Sequence, residues 1–430
     1  MAARRGEVTA WAMYDFACSA FTTIIVTFVF SKYYADVVVG DDIAGPIYWT
    51  RAINASAIIV ALVTPVLGAV ADLAGRKKLF LGVVSVQCIL FTVLLFGAGP
   101  GDAVRAAVFF IIANVGFEAA QVFYNSLLLD ITDRKTIGRV SGFGWGLGYI
   151  GGLLALALAL GMVRGWLPDT DYLDVRSIAL LVAVWYAVFM LPLFLYVREG
   201  PPQAPPSSTA AYFRLGFRRV AGTLGQLRTY REAAKLLAAR LIYNDGLTTI
   251  FAMAAIYAGA AFGMPLEEFL VLGIAINLAA GVGAYAFGFV DDRIGGKRTI
   301  VISLVVLTAA TATAALTRSV AMFWVAGIVL GIMVGPNQSA SRSLLSRMVP
   351  EQKQGEFFGF YAFSGKLSSV LGPLAYGLVL GATENHRAAV GSVAAFFVVG
   401  LLLLLTVDER EGMAAALRLE HAEPLAGDAS

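Results

Sequence analysis

Four charged side chains, Asp15, Glu118, Asp245 and Lys366, stand inside otherwise apolar stretches of the chain. A charge at the centre of a membrane helix costs about 2.5 to 3.5 kcal/mol on insertion scales, so each needs a partner, water or a task. Around Glu118 the residues Asn114, Gln121 and Asn125 follow at steps of four, three and four, which puts all four on one helical face. Such a face is expected to line a wet cavity, although Asn114 by itself also fits a hydrogen bond between packed helices. Further on, GPNQSASRS from Gly335 to Ser343 sets Asn337 and Gln338 beside a helix-loosening proline. Those amides suit either a polar solute or the carbonyl that the proline frees. The expected chemistry is therefore polar binding and proton handling within a membrane, with Ser19 near Asp15 as a further hydroxyl. Tyr14 and Tyr243 read as cavity walls or as interface aromatics, and Arg342 reads as a boundary residue that snorkels outward.

Catalytic readings find little support. The two histidines, His386 and His421, exclude an HExxH zinc site, and no Walker A sequence is present. Asp130 and Asp133, with Asp291 and Asp292, match the acid-rich metal motifs of a lipid transferase only weakly. No enzyme activity, metal or cofactor is expected. Cys18 and Cys88 lie in apolar segments and read as small packing residues.

These groups need spans to hold them. The chain of 430 residues is 59% hydrophobic and only 14% charged, with a mean hydropathy of +0.76, which marks a membrane protein. A net charge of +3 gives no reason to expect nucleic acid. A span needs about 20 apolar residues. Twelve stretches qualify, at approximately 10–36, 48–71, 79–98, 104–130, 139–163, 175–197, 236–261, 268–290, 299–317, 320–345, 355–380 and 387–407. The first is too long for a signal h-region and contains Asp15, so it reads as a span rather than a cleaved signal. Even-numbered loops carry Arg76, Lys77, Lys78, Arg134, Lys135, Arg293, Lys297, Arg298, Arg347 and Lys353, while odd-numbered loops carry acids such as Asp41, Asp171 and Asp174. This alternation predicts that both termini are cytoplasmic. Four regions follow: a six-helix bundle over 1–197, a linker over 198–235, a second bundle over 236–407 and a polar, dispensable tail over 408–430, with room for a short helix around Met413 to Glu420. After its prolines the linker carries Phe213, Phe217, Val220, Leu224 and Leu227 at helical spacing, the pattern of an amphipathic helix on the cytoplasmic leaflet.

The halves also repeat each other. GAVADLAGRKK at Gly68 to Lys78 returns as GFVDDRIGGKR at Gly288 to Arg298, and one offset of 220 residues matches Gly68 with Gly288, Asp72 with Asp292, Gly75 with Gly295 and Lys77 with Lys297. Arg76 completes the first copy. A period near half the chain points to a duplicated domain.

The GxxxDxxGRK loop between the second and third spans, with its second copy, resembles the loop signature of the major facilitator superfamily. YDFACSAF at Tyr14, FYNSLLLDI at Phe123, SGFGWGLGYIGG at Ser141 and EFFGFYAFSGK at Glu356 are similar to the branch that includes the autophagy-linked vacuolar amino-acid effluxers and their bacterial relatives. Cys18 and Leu129 stand where that branch carries Asn and Pro. The resemblance implies an all-α membrane protein of twelve helices in two pseudo-symmetric bundles, the major facilitator fold. The first, fourth, seventh and tenth spans would line its central cavity. It further implies alternating-access transport of a small polar organic solute, an amino acid foremost, by efflux and with protons as a coupling partner. The setting would be a bacterial inner membrane, with lipids as neighbours and the chain acting as a monomer. A sugar or drug exporter of the same fold, and a lipid-handling scramblase or transferase, are the alternatives.

Three contacts are expected from electrostatics. Asp72 should sit at the N-terminus of the eleventh span near Gly355, and Asp292 at that of the fifth near Arg139, because a carboxylate is stabilised there. Glu118 is the expected proton carrier. Lys366, about eleven residues into its span, should pair with Asp245, about nine residues into its own, within the same bundle.

Overall fold

Runs of apolar residues with few charges form helices long enough to cross a membrane, because a helix satisfies its own backbone polar groups where water cannot. The computed structural model describes residues 5–41, 44–166, 168, 170–199, 209–225, 228–368 and 371–422. Within them lie eleven such helices, or twelve when a bent pair is counted as one span. In chain order the first six are Arg5–Val39, Ala44–Ala74, Lys77–Leu95, Ala103–Ile131, Ile137–Arg164 and Thr170–Tyr196. The seventh, Arg231–Phe262, bends by 57° after Ala254. The eighth to tenth are Leu266–Ile294, Gly296–Leu316 and Val320–Met348. The eleventh divides into Gln354–Leu367 and Leu371–Thr383, and the twelfth is His386–Leu405. The first span includes two π-helical stretches, Phe21–Phe28 and Tyr34–Val39.

Two apolar cores form. One is built from residues between Ala10 and Val197 and the other from residues between Tyr230 and Val407, joined by Val122 of the fourth span. The two sets of spans meet along seams of small residues, as membrane helices do when backbones approach closely. A Cβ on Gly68 would lie 1.9 Å from the Gly355 carbonyl oxygen, so the second and eleventh spans touch through bare backbone. Gly142 stands in the same relation to Ala284 at 2.3 Å and Gly288 to Gly138 at 2.9 Å, which seals the fifth span against the eighth. These seams are counterparts under the 220-residue repeat.

Among the described residues, the hydrogen bonds and ion pairs that join the two halves lie at mid-span or toward the end that carries the basic loops. This end is called the basic face below.

Two segments differ from expectation. The linker helix, Thr209–Gly225, rests on protein: its Gly216 packs against Val66 and Val70, Arg219 Nε donates to Glu356 at 3.2 Å, and Lys353 Nζ donates to Thr223 at 2.8 Å. Its Leu215 and Phe217 face outward. The side chains of Phe213, Leu224 and Leu227, and the proline-rich stretch 200–208, lie outside the described residues. In the tail, the short helix expected around Met413 to Glu420 is longer, and it is docked on the protein up to Ala422. It forms the helix Glu409–Ala422, held because its carboxylates meet unspent donors: Glu409 accepts from Gly296 N at 3.0 Å and Lys297 N at 3.2 Å, and Glu420 pairs with Arg134 at 2.6 Å. Residues 423–430 lie outside the described residues.

Candidate functional site

The centre of the site is Asp15 on the first span, which meets Arg342 of the tenth span from the other half at 3.2 Å. Asp15 also accepts from the Tyr124 hydroxyl at 2.8 Å. The guanidinium is almost wholly buried, its side chain 3% exposed, and spends its remaining donors on Asn125 Oδ1 at 3.1 Å, Ser141 Oγ at 2.9 Å and the Ser141 carbonyl at 2.6 Å. Trp11, Tyr124 and Trp145 surround it, with ring centroids 4.9, 5.7 and 5.8 Å from its central carbon. Trp11 and Tyr124 are themselves stacked at 4.4 Å. Glycines on the fifth span leave room for this cluster, since a Cβ on Gly144 would lie 2.9 Å from Asp15 Oδ2 and one on Gly148 2.9 Å from Ser19 Oγ. Ser19 donates to the Asp15 carbonyl at 2.7 Å. Arg342 therefore belongs to the site and does not snorkel outward. On the fifth span Ser141 offers a hydroxyl and a carbonyl and Trp145 a ring face, so the guanidinium is held inside, with Asp15 as its carboxylate acceptor.

A second acid and base cross between the halves nearby. Lys366 of the eleventh span bonds Glu118 of the fourth, with side chains 26% and 18% exposed. The expected partnership of Lys366 with Asp245 is not found. Asp245 instead accepts from Leu371 N at 3.0 Å and Gly372 N at 2.9 Å, the first backbone donors of the outer half of the broken eleventh span. A carboxylate beside the start of the described helix Leu371–Thr383 satisfies these two N–H groups.

The polar stripe of the fourth span divides between two duties. Gln121 donates to Cys18 Sγ at 3.1 Å and Asn125 accepts from Arg342, so both border the charged cluster. Asn114 turns to the second span and donates to Ser56 at 2.8 Å, fully within one half. Asn337 likewise is buried against the ninth span, donating to Ser303 at 3.0 Å. Both amides act as interhelical glue and leave the cavity face. Gln338 faces inward and donates to Asn244 at 2.9 Å, and Asn244 donates to Ser368 at 2.6 Å. The two tyrosines are neither cavity walls nor interface residues. Tyr14 is buried and shares its hydroxyl with Ser85 at 2.6 Å and Tyr186 at 2.7 Å, and Tyr243 is buried against Ser341 at 2.7 Å.

At the basic face Asp72 accepts from Gly355 N and Glu356 N, both at 2.9 Å, and Asp292 accepts from Gly138 N at 2.8 Å and Arg139 Nε at 2.5 Å. Each carboxylate reaches from one half onto a helix start in the other. Gly75 and Gly295 turn the loops with positive φ, 58° and 93°, a backbone that side chains resist. Lys77 holds Ser126 O at 3.0 Å and Asp130 at 3.1 Å, and Lys297 holds Leu405 O at 2.9 Å and Val407 O at 2.6 Å. Arg76 is exposed. Arg347 adds a tie, binding Asp291 at 2.5 Å, Asp292 at 3.3 Å and the Arg134 carbonyl at 3.0 Å.

Sequence reasoning missed Arg240, Asn244, Tyr124, Trp145 and Arg347. Arg240 carried the same signal as the four charged residues, a charge within an apolar span, whereas the aromatic residues carried none. Among the described residues no group of three or more His, Cys, Asp or Glu side chains is arranged to hold a metal ion.

This geometry has relatives. Residues 47–137 and 129–417 match the family model described as "Vacuole effluxer Atg22 like". The MFS-type transporter YxiO of Bacillus subtilis is 27% identical over 415 residues, covering 94% of this chain and 95% of that protein. Autophagy-related protein 22 of Yarrowia lipolytica is 25% identical over 343 residues, 72% of this chain, and the match spans only 57% of the fungal protein. Among solved structures, the proton:xylose symporter XylE of the major facilitator superfamily superposes with a TM-score of 0.69 at 14% identity, covering 95% of this chain and 96% of that one, which bears on the fold alone. With two sets of spans sealed at glycine seams and a family match across most of its length, the chain belongs to the Atg22-like vacuole effluxer family and has the fold of a major facilitator superfamily transporter.

Proposed function

We propose that the protein exports a small polar organic solute, an amino acid foremost, by alternating access coupled to protons. The observation that carries this reading is the pair of acid–base contacts crossing between the halves at mid-membrane, Asp15 with Arg342 and Glu118 with Lys366. Both acids lie on one half and both bases on the other, so the halves cannot separate at this level without leaving buried charges unpaired. Breaking such a pair costs about 3 to 5 kcal/mol, which is offset when a proton neutralises the acid or a solute replaces the partner. Glu118 is the proton carrier in this scheme, since its side chain is partly exposed while that of Asp15 is further committed to Tyr124.

The basic face is read as cytoplasmic by its Lys and Arg content, in a bacterial inner membrane, with the chain working as a monomer. Asp72 and Asp292 then serve as latches of the cytoplasmic gate, holding it shut in the conformation described. The amides and hydroxyls of Gln121, Asn125, Gln338 and Asn244 supply neutral hydrogen-bonding groups for the solute. Uptake of a labelled amino-acid panel into proteoliposomes, with and without a pH gradient, tests the reading. Accumulation of at least one amino acid driven by the gradient and lost in Glu118→Gln is expected. Transport that ignores the gradient refutes proton coupling, and absence of any solute movement refutes the assignment to small polar solutes.

A further inference from the structure

Arg240 lies about 14 Å into the seventh span, nine residues beyond Arg231, and is 6% exposed. Its Nη1 donates to the Tyr361 carbonyl at 3.1 Å and Ser364 Oγ at 3.0 Å, both on the eleventh span. The guanidinium stacks on the Tyr361 ring, 3.4 Å from the centroid. Among the described residues no carboxylate lies within ion-pair reach of it, in contrast to Arg342, which has Asp15. Asp245, five positions along the same helix, points about 140° away and is spent on backbone donors. Two buried polar atoms of this stacked pair also lack hydrogen-bond partners, Arg240 Nε and the Tyr361 hydroxyl.

A buried cation and two unspent donors form the complement of a carboxylate, which accepts several hydrogen bonds and carries the missing charge. The neighbouring residues fit this use. One turn further along, Asn244 faces Gln338 and Ser368, so the polar strip continues from Arg240 toward the centre of the site. Val122 of the fourth span is, among the described residues, the one side chain from the N-terminal set buried within the C-terminal core, which also includes Tyr361.

We propose that Arg240 and Tyr361 anchor the carboxylate of the transported solute. The inference rests on the transport reading above and assigns the residues that hold the acid group of its solute. It separates two roles for Arg240, since a purely structural arginine would tie the seventh and eleventh spans together and show no preference among solutes.

The test uses the purified full-length transporter and measures thermal stabilisation by the twenty amino acids, pyruvate and benzoate, each against its amide. At least one acid is expected to stabilise the wild-type protein while its amide does so about tenfold more weakly or not at all, the effect of losing a charge-assisted hydrogen bond. Arg240→Gln should lose this discrimination and Arg240→Lys should retain part of it. Tyr361→Phe, which removes only the hydroxyl, keeps the comparison available if Arg240→Gln folds poorly, and it should weaken the acid several-fold. Equal responses to acid and amide, no response to any acid, or unchanged discrimination in both Arg240→Gln and Tyr361→Phe overturns the anchor. If uncharged solutes are nonetheless moved in proteoliposomes, the transport reading survives without it. If no solute moves, the transport reading itself fails.

Discussion

Replacing Asp72 by Asn removes a negative charge from a site that is 4% exposed and faces two backbone donors, Gly355 N and Glu356 N, each 2.9 Å away. A hydrogen bond to a charged group contributes about 1.5 to 3 kcal/mol, and the field at a helix start adds about 0.3 to 1 kcal/mol. Asn keeps one acceptor oxygen and turns its NH2 toward an N–H donor, so one bond is lost and the other loses its charge assistance. The closed gate should thus be destabilised by about 3 kcal/mol, a shift of about 100-fold in the open-to-closed ratio. Spin labels on exposed positions at the basic ends of the second and eleventh spans would report this as growth of a long-distance population. Asp292→Asn should shift the same distribution less, because Arg347, held by Asp291 at 2.5 Å within its own half, still donates to the Arg134 carbonyl at 3.0 Å across the second seam. If Asp72→Asn left the open and closed populations as in the wild type, the carboxylate would not be a latch. If Asp292→Asn opened the gate more, the ordering derived from Arg347 would be wrong.

Two further outcomes follow from the contacts. Glu118→Gln and Lys366→Met are each expected to lower stability by about 1 to 3 kcal/mol and the double substitution by less than their sum, because each single removes the charge-assisted bond between two half-buried side chains; a double mutant equal to the sum of the singles in thermal unfolding would show that the two residues are uncoupled. Glu420→Gln removes the charge that Arg134 Nη2 meets at 2.6 Å and that Glu351 N meets at 2.9 Å, so faster hydrogen exchange is expected in the loops around Arg134 and Glu351, and unchanged protection there would return the tail helix to a passive role.

Within a span, sequence spacing sets which residues share a face, but the partner of that face depends on how the helix is rotated and where it stops. Asp72 and Asp292 were legible because a carboxylate in a tight loop after a span can reach only nearby helix starts, and the 220-residue repeat supplied both cases at once. Lys366 was not legible. Its depth matched Asp245, yet Asp245 accepts from the Leu371 and Gly372 N–H groups, and Lys366 crosses to Glu118. Asn114 and Asn337 had the composition of cavity residues but met Ser56 and Ser303 on neighbouring helices. Arg342 looked like a boundary residue until the small Ser141 and Gly144 of the fifth span gave its guanidinium a place.

The amino-acid sequence by itself determined the membrane class, the spans, the duplication and the charged loops, because each depends on local composition or on a pattern read along one helix. The tertiary structure alone decided the partner of every intramembrane charge. Those choices depend on contacts between residues hundreds of positions apart, such as the 327 that separate Asp15 from Arg342, and on the rotation and interruption of helices that packing sets.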